Sequence, residues 1–199
     1  ALWLEAYTPD RPLSFLDHHL QCGDALLGMI DPQILEGGIP EEAFTALSGD
    51  DKATAAARKK KNRADLKSLK DMRAGDLFVR TGLAQEARAV EHLADDSLQG
   101  IAAKRDAWAR ASEHAAGSVL ARLADTYIAA FLAPKLPEGE PTVPLSGYMW
   151  HLSSGEQPDP KLDDAARFLC RNHGVFHWWL AYPQVAAAER KLIANVGNF

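Results

Sequence analysis

The positions of apolar and polar residues divide the chain into regions of different character. From Glu41 to about Ala133 the pattern is helical almost throughout, and alanine is abundant across it. Leu66, Leu69 and Met72 mark one amphipathic helix whose N-terminal half is strongly basic. Leu83, Ala87, Val90, Ala94, Leu98 and Ile101 recur at steps of three and four. Trp108, Ala111, Ala115, Val119, Leu123, Tyr127 and Phe131 extend the same rhythm. Stripes of this kind bury against other helices, so the expected product is a mainly α fold, a bundle or long helical hairpins. Leu162 to Arg171 predicts one more amphipathic helix, ahead of the aromatic run Val175 to Pro183.

The flanks behave differently. Ala1 to Tyr7 has the pattern of the last turns of a helix, ended by the turn chemistry of Thr8 to Pro12. Leu20 to Gly23 predicts a short strand ending on a glycine and Asp24, the only β signal in the chain. Pro134 to Pro144 carries four prolines and two glutamates and predicts a loop or linker. The expected divisions are 1–30, a helical region 31–133, a proline-rich linker 134–160, and a returning segment 161–199.

Size and composition set further bounds. At 199 residues and 47 % hydrophobic, the chain has enough apolar material for one real core, or one core with a smaller satellite. Its start at Ala1 lacks an initiator Met and a signal-peptide pattern, so an internal piece of a longer protein is expected. No apolar run reaches the roughly 18–20 residues of a membrane span, and no membrane partner is expected. Cys22 and Cys170 have no metal-type or redox spacing, which suits reduced thiols in a cytoplasmic protein.

Charge changes the picture more. Between Asp50 and Arg73 stand nine Lys/Arg against four Asp, a surplus of five on a chain of net charge −5, which leaves the remainder at −10. A sharply basic helix on an acidic body is a form that binds acidic partners, nucleic acid included. Arg58, Lys59, Lys60, Lys61 and Arg63 fan around the helix, an arrangement suited to phosphates rather than base edges. A solvated helix face is the alternative use of the same residues. The catalytic inventory is otherwise thin: no P-loop, no GxSxG, no GxGxxG, and no metal cluster. His18 and His19 are adjacent and point away from one another on any regular element, so no metal pair is expected, and Asp17 beside His18 suits a solvated turn better than a dyad.

Two stretches carry a resemblance. Ala1-Leu2-Trp3-Leu4-Glu5-Ala6 followed by Pro12 to Gly28 (Pro-Leu-Ser-Phe-Leu-Asp-His-His-Leu-Gln-Cys-Gly-Asp-Ala-Leu-Leu-Gly) resembles a signature of large adenine-specific DNA methyltransferases. These belong to restriction–modification and antiphage-defence systems. Gly174 to Val185 (Gly-Val-Phe-His-Trp-Trp-Leu-Ala-Tyr-Pro-Gln-Val) is similar to the element that stands just before the catalytic strand in the same proteins.

The resemblance implies a helical insertion attached to a small piece of a doubly wound α/β sheet that binds S-adenosylmethionine. It implies that Asp24, with Gly23 and Ala25, lies at the cofactor, the acid contacting its adenine amine at the carboxyl end of a strand. Double-stranded DNA, the remainder of the parent chain and further defence-system subunits are the implied partners. The family's Asn-Pro-Pro-aromatic motif and glycine-rich loop are not in this sequence. Ala186 to Lys191 stands where the former is expected, so no catalytic residue is assigned here and the segment alone is expected to be inactive. A non-catalytic helical scaffold that binds DNA or protein is the competing expectation, and a helical domain with a merely solvated basic face is the plainest one.

Overall fold

The computed structural model describes residues 14–24, 26–68, 81–137 and 143–188. The expected helix end at Ala1 to Tyr7, the position Ala25, the stripe members Leu69 and Met72, and the sequence after Ala188 lie outside the described residues. Among the described residues the structure is mainly helical, at 64 % helix. Two short 3-10 turns, Pro32–Gly37 and Glu41–Phe44, lead into α1 (Lys52–Ser68), α2 (Leu83–Glu91), α3 (Leu98–Gly117), α4 (Val119–Leu132), α5 (Ser146–Ser153), α6 (Pro160–Asn172) and the single turn α7 (Trp178–Ala181).

Helix α4 is the centre of the molecule. Its sequence is apolar around most of its circumference, and Leu120, Leu123, Ala124, Ala129 and Ala130 are buried. A helix apolar on nearly every side must be covered on nearly every side. Helix α6 lies along it, α5 and α3 pack on it as well, and the two 3-10 turns with Ile39 between them place Leu35, Ile39 and Phe44 in the same core. Met149 and Leu152 of α5 and Trp179 of α7 complete the core.

The long helical region is broken more often than its periodicity implies. The stripe from Leu83 to Ile101 holds through Leu83, Ala87 and Val90, then stops, because Ser97 caps a new helix by accepting from the Gly100 amide. Leu98 consequently points into solvent. Ser118 does the same to the next stripe: its hydroxyl accepts from Ala121 N, and α3 and α4 meet at a 54° bend. No single helix among the described residues is long and apolar enough to cross a membrane.

Two expectations need correction. The region 134–160 is not a linker throughout, since Ser146–Ser153 is helical and Val143, Leu145, Met149 and Leu152 are buried. The prolines bound a core segment instead of excluding one. Lys135 is buried too, with Nζ donating to the Phe131 carbonyl at 3.2 Å, its N–H donating to Asp50 Oδ1, and its C=O accepting from Asp51 N. The second correction concerns Leu20 to Gly23, which forms no strand. The β structure among the described residues is one isolated parallel bridge between Asp24 and Val175.

Candidate functional site

Two places concentrate the residues singled out by sequence. The first is the junction between 20–30 and 174–182, built from the end of α6. That helix closes with Val175 N donating to Cys170 O and Gly174 N to Arg171 O, and Gly174 takes φ +62°, where a side chain is disfavoured. The reversal aims the Gly174 carbonyl at Asp24, whose N–H donates to it at 2.7 Å. Pairing continues with Phe176 N to Leu27 O at 2.8 Å and Trp178 N to Met29 O at 3.0 Å. Side chains fasten the same two segments: Gln21 Nε2 donates to Ala181 O at 2.9 Å and the Tyr182 hydroxyl to His19 O at 3.0 Å.

Phe176 explains both glycines of the first segment. A Cβ on Gly23 would lie 2.5 Å from Phe176 Cδ2, and a Cβ on Gly28 would meet the Phe176 carbonyl. Gly23 is thus accounted for by close packing. Asp24 is exposed at the bridge, and its Oδ1 accepts from Leu26 N at 2.9 Å and Leu27 N at 3.2 Å. That turn fixes the carboxylate and leaves Oδ2 with acceptor capacity. Ala25 lies outside the described residues. His18 is buried, stacked on Phe15 with rings 4° from parallel and close to Trp108. Burial, then the neighbouring His19, lowers its pKa, as befits a packed neutral ring. Among the described residues no group of His, Cys, Asp and Glu could hold a metal.

The second place is α1. Its basic residues do not form one uniform patch, because the helix has an inner face. Asn62 lies fully buried inside the cationic run. Its Nδ2 donates to Ile39 O at 2.7 Å, and its Oδ1 accepts from Ser146 N at 2.9 Å and Ser146 Oγ at 2.8 Å. Three residues on, Asp65 Oδ2 accepts from Gly147 N at 3.1 Å. Helix α5 has no cap from its own Leu145, so Asn62 and Asp65 supply from α1 the acceptors its first amides need. A Cβ on Gly147 would stand 2.8 Å from Asp65 Oδ2 and displace the carboxylate that accepts from this amide.

That orientation sorts the five cations. Arg63 makes two hydrogen bonds of 2.6 Å to Glu41, and Lys59 reaches the same carboxylate at 3.4 Å. The Arg63 guanidinium, more than Lys59, holds the Glu41 carboxyl down at about 2. Arg58, Lys60 and Lys61 make no ion pair among the described residues, and Lys60 and Lys61 are exposed on the outer face. Sequence reading missed Glu41 because it lies outside the basic run, and missed Asn62 because its neighbours are lysines. The helical step from Ala55 through Asn62 was the available signal.

A cleft of about 500 Å³ opens between α2, α3, α4, α6 and the returning segment. Trp108, Ala111 and Ala115, expected in the core, line it half-exposed instead. At its floor His177 Nε2 lies 3.2 Å from Asp125 Oδ1, and the Cys170 thiol donates to the Asp125 carbonyl at 3.4 Å. Burial pushes that thiol's pKa well up, which makes it unreactive. Asp24 is not among the residues that line this cleft. Comparison of the chain with protein-family models, curated proteins and solved structures gives no match.

Proposed function

We propose that this chain is part of an S-adenosylmethionine-dependent DNA methyltransferase that acts on adenine N6 in a restriction–modification or antiphage-defence system. The observation that carries the reading is the meeting of the two stretches on which the family resemblance rests. They stand about 150 residues apart in sequence, and they meet at one isolated parallel bridge, Asp24 with Val175, continued by the hydrogen bonds of Phe176 N to Leu27 O and Trp178 N to Met29 O. The helical remainder is then the insertion, and α1 its DNA-facing element.

The residues present fit the cofactor in one respect. The Asp24 carboxylate is exposed, oriented by two backbone amides, and retains an oxygen able to accept from an adenine amine. Bound there, S-adenosylmethionine would supply the methyl group. Asp24 would hold and orient its adenine end, while Lys60 and Lys61 would attract the phosphates of the duplex. The target base must leave the helix to be reached, and no residue of this chain is assigned to the transfer itself.

The test is Asp24→Ala in the protein that carries this chain. S-adenosylmethionine affinity should fall roughly ten- to hundredfold, the loss typical of a charge-assisted hydrogen bond, with DNA affinity little changed. Equal cofactor affinity in both proteins would refute the assignment. The second reading, a non-catalytic helical scaffold for DNA or protein, is favoured by the mainly helical architecture. DNA binding without any cofactor binding would select it.

A further inference from the structure

We propose that the cleft between α3 and α6 binds a small organic anion with a flat apolar body, its charged end on Arg171 and Arg167. The inference does not depend on the methyltransferase reading. At about 500 Å³ the cleft is of the size that small-molecule sites occupy. One wall is the stripe Trp108, Ala111 and Ala115 of α3, where small side chains beside an indole leave room for a flat ring.

The opposite wall carries the charge. Arg167 and Arg171 stand four residues apart on α6 and both line the cleft. Arg167 pairs with Asp163 at 3.3 Å, but the same carboxylate also faces Arg122 at 3.9 Å, so one acid serves two guanidinium groups. Arg167 Nη2 is buried with no acceptor among the described residues, and Arg171, which is exposed, makes no ion pair among them. The acid that lines the cleft, Asp125, is engaged by His177 at 3.2 Å. Two arginines against one lining carboxylate leave positive charge in excess at one side of the cleft. An arginine pair of this kind matches the oxygens of a carboxylate or phosphate monoester.

Phenyl phosphate is the probe, with phenol and inorganic phosphate as its two halves, followed by NMR titration of the labelled protein. Phenyl phosphate should bind saturably and shift the Trp108 indole signal, while each half should bind at least about tenfold more weakly. Arg171→Gln, at an exposed position that leaves the fold intact, should weaken phenyl phosphate about tenfold or more. Ala111→Phe should abolish binding by filling the cleft. The proposal is overturned if phenyl phosphate does not saturate by about 10 mM, weaker than any useful affinity. Binding equal to that of inorganic phosphate, or indifferent to Arg171→Gln, would mark a bare surface charge and overturn it as well.

Discussion

Replacing Asn62 by alanine removes a side chain that joins three parts of the molecule at once. The lost contacts are the hydrogen bonds to Ile39 O, Ser146 N and Ser146 Oγ, all in fully buried surroundings. At about 1 kcal/mol net for each bond the direct loss is roughly 3 kcal/mol. The Ser146 amide is then left buried without an acceptor, which adds about 1–3 kcal/mol. The Ser146 hydroxyl recovers a little, since Ile39 O stands 3.5 Å away. The expected destabilisation is therefore about 3–5 kcal/mol, a large share of the roughly 5–15 kcal/mol of an ordinary domain. Urea denaturation followed by circular dichroism reads it as a lower midpoint with an unchanged slope. Lys61→Ala, one residue away on the outer face, should shift stability by less than about 0.5 kcal/mol. A loss below about 1 kcal/mol for Asn62→Ala, or an equal loss for Lys61→Ala, would refute the account of α1 as a helix with a buried polar face.

Glu41 makes the acid limb of stability predictable. Its carboxyl is held at about 2 against an ordinary 4.5, so its contribution is complete above about 4.5 and disappears as pH falls to about 2. Glu41→Gln should flatten the stability profile within that window and lower stability above it, as thermal melts across the range would show. The thiols should divide cleanly: Cys22 is exposed and Cys170 buried, so an aromatic disulfide reagent should titrate one thiol quickly in the native protein and two in denaturant. Two fast thiols would contradict the packing around Cys170. For DNA, Lys60→Ala with Lys61→Ala should weaken cognate and unrelated duplexes alike. It should also make log K less steep against log salt by up to about 1.8, from about 0.9 per phosphate contact. An unaltered slope would assign those lysines to a solvated face.

Helix was legible where period alone decides it. The Leu83–Val90 stripe buries as spaced, and the amphipathic helix expected over Leu162 to Arg171 forms as α6. Helix ends were less legible, because Ser97 and Ser118 each sit within an unbroken apolar rhythm and act through a single hydroxyl on a single amide. The half-exposed face of α3 could not be read either. Spacing shows that Trp108, Ala111 and Ala115 share a side, but not what stands opposite. The basic run was visible as charge, yet its division between an inner and an outer face depends on Glu41, Ile39 and Ser146, all distant in sequence. At the junction, Gly23 and Asp24 were found as a motif. The reason for the glycine, Phe176 lying against it, belongs to a residue about 150 positions away.

The acceptors that α1 lends to α5 bear on how the protein folds. Helix α5 has only eight residues, too few to persist alone in water, and its first two amides bond to Asn62 and Asp65, more than eighty positions earlier. Its formation must wait for a long loop to close, a slow kind of event compared with the growth of α1 itself. The amide protons of Ser146 and Gly147 should then exchange with solvent only when the whole body opens, although their helix is among the shortest in the molecule.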